Sequence, residues 1–330
     1  MTEALFLTSD DVTDLATPGE YVEAVREGYR QRGEGAPARP RTRLVGDDPP
    51  GMLTGYTAVL PETGAMGGYM YAAGFGAGDA HFVLPLFDAG SGEPLAVLDG
   101  ASMNPAKTGA AGAVGVNALA RANATDLAVV GSGSQARGQL RAAATVRGFE
   151  TVRVYSPTRE NRVAFAAEMD DELDPAVRAV ETASAAVTGA DVVITATDAA
   201  EPVFDGADLA DGAHVTCMGQ YHPEKREVDA ATVARATYVP DLRDRVERDA
   251  GAYRLALEDG AIDEDHIHAE LGEVVAGESP GRTSDDEVTL FDSGGTAIET
   301  VAAGHALYER ARSRGVGREV EFTPASRAFE

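Results

Sequence analysis

The sequence predicts an α/β protein in which helices cover both faces of a parallel sheet. From residue 127 to 239, β-branched apolar runs alternate with segments of helical periodicity, as at 127–131, 134–147 and 151–155. This alternation is typical of βαβ units. The first apolar run ends in a Gly-x-Gly-x-x-Ala segment, which marks a tight turn from strand to helix. With 330 residues, the chain is long enough for a second domain.

The first 120 residues predict a different arrangement, an α+β domain. Residues 11–34 have the apolar spacing of a helix capped by Asp10 or Asp11, and a loop rich in proline, arginine and glycine follows over 35–51. Four runs predict strands of a meander, namely 52–60, 66–75, 81–88 and 94–99. Residues 104–121 then predict a helix rich in small side chains.

The remainder completes the predicted parallel sheet. Helices are expected at 159–170 and 182–188, and strands near 177–180, 191–196, 213–218 and 237–239. After Gly260 the chain predicts acidic helical structure, then a last strand at 289–296 and a long helix at 297–313. We therefore predict a Rossmann-type domain over 121–303. The C-terminal helix, about 304–330, is expected to join the domain formed by 1–120.

The strand-to-helix turn indicates a dinucleotide-binding site. Gly131 would allow the tight turn, Gly133 would let the backbone approach a pyrophosphate, and Ala136 would keep the helix close to the strand. The intervening Ser132, Ser134 and Gln135 complete the turn. Because the helix N-terminus offers free N–H groups and a positive dipole end, it suits the phosphates of a nicotinamide cofactor.

Composition and charge disfavour several classes of binding partner and site. The net charge is −26 with scattered acids, so nucleic acids and anionic membranes are disfavoured as partners on electrostatic grounds. No apolar run approaches the roughly 20 residues of a membrane span. The single cysteine, Cys217, excludes an intramolecular disulfide, and no Cys/His cluster has the spacing of a metal site.

Lysine is scarce: of the 28 basic residues, Lys107 and Lys225 are lysines and the other 26 are arginines. An acidic, lysine-poor surface and an N-terminus without a secretory pattern indicate a high-salt (halophilic) cytoplasm. The alternative is an ordinary acidic protein.

Several motifs together resemble the ornithine cyclodeaminase/mu-crystallin family. They occur in this order: Leu95-Ala-Val-Leu-Asp-Gly100, Lys107-Thr108-Gly-Ala-Ala-Gly, Gly131-Ser-Gly-Ser-Gln-Ala136, Ser156-Pro-Thr-Arg159, Thr195-Ala-Thr197, Gly219-Gln-Tyr-His-Pro-Glu-Lys-Arg-Glu-Val-Asp229 and Phe291-Asp-Ser-Gly-Gly295. The resemblance implies an N-terminal substrate-binding and dimerisation domain, a Rossmann cofactor domain and a homodimer. It also implies hydride exchange between an amino-acid Cα and nicotinamide C4 through an imine.

The resemblance also implies site residues. Nicotinamide would lie near Thr108, Met218 and Gly219, and Lys225 would match a lysine that contacts the cofactor, the alternative being a loop surface charge. The remaining cofactor positions implied by the motifs are Thr195, Ala196, Thr197, Ser293 and Gly294. Arg41 or Arg43 would grip the substrate carboxylate, since a guanidinium binds a carboxylate through two hydrogen bonds.

The chain departs from the family pattern at three catalytic positions. Met70 stands at the position of the lysine in the family's Gly-Val-Lys-Val strand. Tyr221 stands at the position of the cyclodeaminase aspartate, and Lys107 at the position of the arginine in the family's Arg-Thr pair. Met70 cannot titrate, and tyrosine has a reference pKa of about 10, so ornithine deamination lacks its acid–base groups. Lys107 would bind the carboxylate or donate a proton, unless it is a helix-surface lysine. His222 would act as acid or base, or simply form a turn before Pro223.

The end of the second Rossmann strand bears on the choice of cofactor. Many NAD-binding units place an acidic residue there for the ribose diol. Here the position is Ser156, followed by Thr158 and Arg159. A hydroxyl and an arginine suit a 2′-phosphate better, so we predict NADP(H) as preferred and NAD(H) as possible.

These observations predict an NAD(P)H-dependent oxidoreductase that acts on the C–N bond of a small 2-amino or 2-imino acid, either alanine dehydrogenase-like or a ketimine reductase. Two alternatives remain open. One is an ornithine cyclodeaminase that recycles NAD internally and releases ammonia. The other is a non-catalytic NADPH- or ligand-binding protein of the mu-crystallin type.

Overall fold

The computed structural model describes residues 2–219 and 221–329, the last two for their backbone alone. The chain divides into two compact units. The first comprises 1–107 with 296–330, and the second comprises 108–295. The assignment of substrate binding to 1–120 and of cofactor binding to 121–303 stays a prediction.

The first unit is built on one mainly antiparallel sheet. Its strands are β1 (Thr2–Leu7), β2 (Thr42–Asp47), β3 (Pro50–Gly55), β4 (Ala58–Leu60), β5 (Ala65–Gly67), β6 (Met70–Gly74), β7 (His81–Asp88), β8 (Pro94–Asp99) and β16 (Arg318–Phe322). The order across the sheet is β16-β1-β8-β7-β6-β3-β2, with β5 pairing both β4 and β7. Strand β1 runs parallel to β8, and the other pairs are antiparallel.

The helices of this unit are α1 (Ser9–Val12), α2 (Pro18–Gly33) and α11 (Ala297–Arg314). Helix α3 (Met103–Leu119) begins in this unit and ends in the second. Helices α2 and α11 pack closely, because a Cβ at Gly28 would lie 3.0 Å from the Ala302 Cβ. A glycine at this position lets the two helix backbones approach.

Several predictions for this unit were wrong in detail. The single helix expected at 11–34 is two helices, because Pro18 has no N–H for a continuing helix and instead begins α2 after Thr17. Neither Asp10 nor Asp11 is an N-cap residue. Thr8 caps α1 and Thr17 caps α2, each in a capping box. The loop expected at 35–51 contains strand β2, and strand β1 was not predicted. The C-terminal helix expected over about 304–330 ends at Arg314, because Gly315 adopts a left-handed conformation, and strand β16 follows it.

The second unit is the predicted doubly covered parallel sheet. Its strands are β9 (Asp126–Val130), β10 (Thr151–Tyr155), β11 (Ala176–Ala179), β12 (Val192–Thr195), β13 (His214–Met218), β14 (Thr237–Pro240) and β15 (Thr289–Ser293). All are parallel, in the order β11-β10-β9-β12-β13-β15-β14. The helices are α4 (Ser134–Ala143), α5 (Arg159–Glu172), α6 (Ala183–Val187), α7 (Ala230–Arg235), α8 (Arg243–Asp249), α9 (Gly251–Glu258) and α10 (Leu271–Ala276).

Two apolar cores lie on opposite faces of this sheet, which explains the nearly continuous apolar strands. In β9, Leu127 and Val129 pack into one core, whereas Ala128 and Val130 pack into the other. The α/β fold class is therefore confirmed. The acidic helix expected after Gly260 is reduced to a short 3-10 turn and α10.

Candidate functional site

The predicted phosphate-binding turn joins β9 to α4. Gly131 has φ +129°, and a Cβ there would lie 2.3 Å from the carbonyl oxygen of Ala196. Only glycine fits both constraints. Gly133 is the exposed N-cap of α4 and has no side-chain cap. A Cβ at Gly133 would lie more than 4 Å from any described residue beyond its chain neighbours and its own helix backbone. Ser134 is also exposed, whereas Ala136 is fully buried against the strand. The helix N-terminus is thus accessible and suited to an anion.

The end of β10 carries the residues expected to select the cofactor. Ser156 is buried, and its hydroxyl accepts a hydrogen bond from the Ser132 hydroxyl at 2.9 Å. Thr158 is the N-cap of α5 and does not cap it with its side chain. Arg159 is exposed, and its side chain forms no hydrogen bond or ion pair within the described part of the chain. Arg162 instead turns inward, donating to the Ser156 carbonyl oxygen at 3.1 Å, so it has a structural role.

The end of β12 is held by a buried carboxylate that sequence analysis did not identify. Glu227 accepts hydrogen bonds from the Thr195 hydroxyl, the Thr197 hydroxyl and the Thr197 N–H, each at 2.7 Å. Between these threonines lies Ala196, whose carbonyl oxygen faces Gly131. The segment predicted at this position therefore lies against the predicted phosphate-binding turn through Ala196.

The ends of β13 and β15 form a second pair of loops. Gly219 has φ +95°, and its N–H donates to the Ser293 carbonyl oxygen at 2.9 Å. Met218 is buried, and so is Ser293, whose hydroxyl oxygen has no hydrogen-bond partner within the described residues. The Gly294 N–H donates to an Asp241 carboxylate oxygen at 2.8 Å.

A buried charged cluster supports these loops. Arg245 donates to Asp241 and to Asp292, each at 2.7 Å, and a Cβ at Gly294 would lie 2.7 Å from the Arg245 side chain. Tyr238 donates to the other Asp292 oxygen at 2.5 Å. Burial opposes the charge of Arg245, but the two carboxylates raise its pKa above the usual value. The cluster thus fixes the β15 turn through buried ion pairs and hydrogen bonds.

In the first unit, Lys107 is buried rather than on a helix surface. It is 2% exposed, and its ammonium lies 2.8 Å from a carboxylate oxygen of Glu299, which is fully buried. Glu299 also accepts from the Tyr29 hydroxyl at 3.2 Å and from the Thr296 hydroxyl at 3.4 Å. Burial lowers the pKa of Lys107, but Glu299 and Tyr56 outweigh it, so the pKa lies above the usual value for an amine.

Aromatic rings connect Lys107 to one of the two candidate arginines. The ammonium lies 5.3 Å from the Tyr69 ring centroid, the Tyr69 and Tyr56 rings are 5.9 Å apart, and the Arg41 guanidinium lies 5.2 Å from the Tyr56 centroid. Arg41 is 7% exposed. Arg43 lies within β2 and is half-buried. The structure therefore brings Arg41 together with Lys107 through this aromatic group.

Met70 is not part of that group. It is 56% exposed, whereas its neighbours Tyr69 and Tyr71 are buried, as the alternation of a strand requires. Met70 lies opposite Val83 in the sheet register. Leu44 and Leu53, which also face each other, continue the same exposed apolar row. A cation at position 70 would interrupt this row.

The remaining predicted residues belong to the second unit, where Thr108 lies in α3 and the others lie in loops. Tyr221 and His222 are exposed, and His222 Nδ1 accepts from the Glu224 N–H at 3.3 Å, as in a turn. Lys225 pairs with the exposed Asp198 at 3.1 Å. Thr108 is buried, and its carbonyl oxygen accepts from the Gln139 side chain at 2.9 Å.

Three features were therefore missed by sequence analysis: the carboxylates Glu227 and Glu299 and the Arg245 cluster. Glu227 stands within one of the family motifs, but its hydrogen-bond partners are 30 and 32 residues away. Among the described residues, no group of three or more His, Cys, Asp or Glu side chains could hold a metal ion. None of the described helices has the length and apolarity of a bilayer span.

Comparisons with known proteins show the family of this chain. The model of the ornithine cyclodeaminase/mu-crystallin family matches residues 2–315. A Δ1-pyrroline-2-carboxylate reductase of Bacillus cereus (strain ATCC 10987) is 36% identical over 241 residues, or 73% of this chain and 74% of the relative.

Two solved structures are similar over nearly their whole length. The Δ1-pyrroline-2-carboxylate reductase of Thermococcus litoralis, in complex with NADH and L-proline, has a TM-score of 0.90 at 33% identity and covers 96% of this chain and 100% of its own. An archaeal alanine dehydrogenase dimer with bound NAD has a TM-score of 0.90 at 30% identity and covers 98% and 100%.

Proposed function

Since the chain belongs to the ornithine cyclodeaminase/mu-crystallin family and is an oxidoreductase of imines and amino acids, we propose that it reduces a small 2-imino acid with NAD(P)H. A cyclic imine such as Δ1-pyrroline-2-carboxylate is the first substrate to test, because two of the similar proteins are named for its reduction. An alanine dehydrogenase-like activity on pyruvate and ammonia belongs to the same class of chemistry.

One observation favours imine reduction over ornithine deamination as the reaction of this protein. The positions that match the family lysine and the cyclodeaminase aspartate are Met70, in an exposed apolar row, and Tyr221, in an exposed loop. Methionine has no titratable group, and tyrosine as a residue type has a reference pKa of about 10. Deamination of ornithine needs a base for the amine and an activated water, whereas reduction of a preformed imine needs neither.

The cofactor is proposed to bind at the accessible turn of Gly131 and Gly133, with its phosphates at the N-terminus of α4. Similar structures hold NADH or NAD. Preference for NADP(H) remains a proposal, supported by Ser156 in place of an acidic residue and by the exposed Arg159, which has no carboxylate partner among the described residues. When bound, the reduced nicotinamide supplies the hydride to the imine carbon.

The carboxylate of the imino acid is proposed to bind Arg41, whose position beside the Tyr56 ring is fixed by packing. Lys107 is proposed to act through its charge. Because Glu299 raises its pKa, Lys107 stays protonated and is a poor proton donor. The proton that completes reduction at nitrogen would then come from His222 or from water.

We also propose a homodimer in a high-salt cytoplasm. The exposed row of Leu44, Leu53, Met70 and Val83 offers one face of a sheet to a second copy of the chain. The charge of −26 with two lysines supports a salt-rich surrounding.

The test is an assay in concentrated salt with NADPH or NADH and a panel of substrates, followed by the absorbance of reduced nicotinamide. The panel contains 1-pyrroline-2-carboxylate, 1-piperideine-2-carboxylate and 2-oxo acids with ammonia or methylamine. Loss of absorbance with one of them would support the proposal and identify the substrate class. Ammonia release from ornithine without net cofactor consumption would instead indicate a cyclodeaminase. Tight cofactor binding without turnover of any substrate would favour a binding protein.

A further inference from the structure

Glu227 is a fully buried carboxylate that hydrogen-bonding groups, rather than a cation, stabilise. Its oxygens accept from two threonine hydroxyls and one backbone N–H, and it forms no ion pair within the described part of the chain. Burying a charge without a counterion costs folding free energy, so a buried carboxylate of this kind depends on the hydrogen bonds that it accepts. The titratable groups that face it are Asp292 on β15 and Cys217 on β13, and neither supplies a positive charge.

The contacts of Glu227 join two loops that line the proposed cofactor site. On one side, Thr195 and Thr197 flank Ala196, whose carbonyl oxygen lies against Gly131 of the phosphate-binding turn. On the other side, Glu227 belongs to the segment 221–229, which also carries Lys225. The backbone of this segment is attached to the same region, since the Glu227 carbonyl oxygen accepts from the Val203 N–H at 2.9 Å.

We propose that Glu227 is a positioning residue that fixes the 195–197 turn and the 221–229 loop in the geometry required for nicotinamide-cofactor binding. This inference rests on the proposed function. As a carboxylate, Glu227 accepts all three hydrogen bonds. As a carboxylic acid, one of its oxygens becomes a donor, so at least one of the three contacts must reorganise. The site is therefore expected to bind cofactor more tightly when Glu227 is ionised.

The ionisation of Glu227 falls near neutrality. Burial raises its pKa from 4.5 to about 7, and the hydrogen bonds from Thr197 and Thr195 only partly offset this rise. Cofactor affinity should therefore increase between about pH 6 and pH 8. At most, the increase is about tenfold for each pH unit below the pKa.

The experiment measures the Kd of NADH and NADPH against pH by nucleotide fluorescence, for the parent protein and for Glu227→Gln. Glutamine keeps the shape of the side chain but cannot ionise. We expect its affinity to be about tenfold lower at pH 8 than that of the parent protein, and nearly independent of pH.

Glu287→Gln is the matched control. Glu287 lies in the same unit and also accepts from threonines, namely the Thr237 hydroxyl and the Thr283 hydroxyl and N–H. It precedes β15, at the opposite end of the strand from Ser293 and Gly294. We expect Glu287→Gln to change thermal stability but to leave cofactor affinity and its pH profile unchanged.

Thr195→Val provides a second variant should Glu227→Gln not fold. Removal of one donor destabilises the carboxylate form, so the midpoint of the affinity profile should move to higher pH. Equal affinity and an equal pH profile in Glu227→Gln and the parent protein would overturn the inference while leaving the proposed function intact. If the parent protein bound neither nucleotide, the proposed function would fail, and the inference with it.

Discussion

The buried pair of Lys107 and Glu299 gives the sharpest prediction for stability. Replacing Lys107 by methionine keeps the volume of the side chain but leaves Glu299 buried without its cation. At the observed 2.8 Å, Coulomb attraction with an effective dielectric constant near 20 is about 6 kcal/mol before desolvation. Because the Tyr29 and Thr296 hydroxyls still donate to Glu299, we expect a net loss in the free energy of unfolding of about 3–5 kcal/mol.

The assay is denaturant unfolding of Lys107→Met, Glu299→Gln and the double variant in one high-salt buffer. The double variant buries no charge, and the two hydroxyls retain an acceptor in the glutamine amide, so it should lie within about 1–2 kcal/mol of the parent protein. If Lys107 also acts in the reaction, turnover should stay low in the double variant although stability returns. That divergence separates the structural role from the functional role.

A control is available on the same helix as Glu299, α11. Arg310 pairs with Glu20 at 2.9 Å, but both side chains are partly exposed. Arg310→Met should therefore cost less than about 1 kcal/mol. The reasoning would be refuted if Lys107→Met were no more destabilising than Arg310→Met, or if the double variant were as unstable as Lys107→Met alone.

Three further predictions concern the site. Arg159→Ala should weaken NADPH binding about tenfold while NADH binding changes little, as measured by titration; an equal loss for both nucleotides would contradict a 2′-phosphate contact. Arg41→Lys should raise KM for the imino acid about tenfold or more, because lysine lacks the paired donors of a guanidinium, whereas Arg43→Lys should have little effect in the same steady-state assay. Because the pKa of Glu227 is about 7 in the folded protein and that of glutamate is ordinarily 4.5, its contribution to stability is full below about pH 4.5 and is lost as the pH rises through 7. This difference corresponds to about 3 kcal/mol, so unfolding curves of the parent protein and Glu227→Gln should diverge over this range, and parallel curves would contradict the shift.

The parallel sheet could be predicted because its signal is local. Strands buried on both faces are continuous apolar runs, and glycine at position 131 is required by the turn itself. Strand β2 could not be predicted in this way, because Leu44 and Val45 are 65% and 74% exposed and the strand lacks the alternation of a half-buried one. Its place in the sheet depends on pairing with β3.

The same difference between local and long-range signals applies to the residues of the candidate site. The glycines and Ser156 could be proposed from the sequence because strand and turn neighbours mark their positions. Glu299 was not, because its partner Lys107 is 192 residues away and nothing near either residue in the sequence signals the pair. Likewise, the proposal of Arg41 rather than Arg43 depends on the position of the Tyr56 ring, which the sequence does not provide.

The ion pairs of the molecule fall into two groups, exposed pairs and buried pairs, which respond differently to salt. In 1 M salt the Debye length is about 3 Å, so exposed pairs such as Arg310 with Glu20 are largely screened. The Arg245 cluster and the Lys107 pair lie where mobile ions do not reach, and they keep their strength. Ionic strength therefore acts on the outer charges while the interior pairs that support the loops and helices remain insulated. Consequently, the number of surface acids can change over evolutionary time without altering the internal charge pairing of the site.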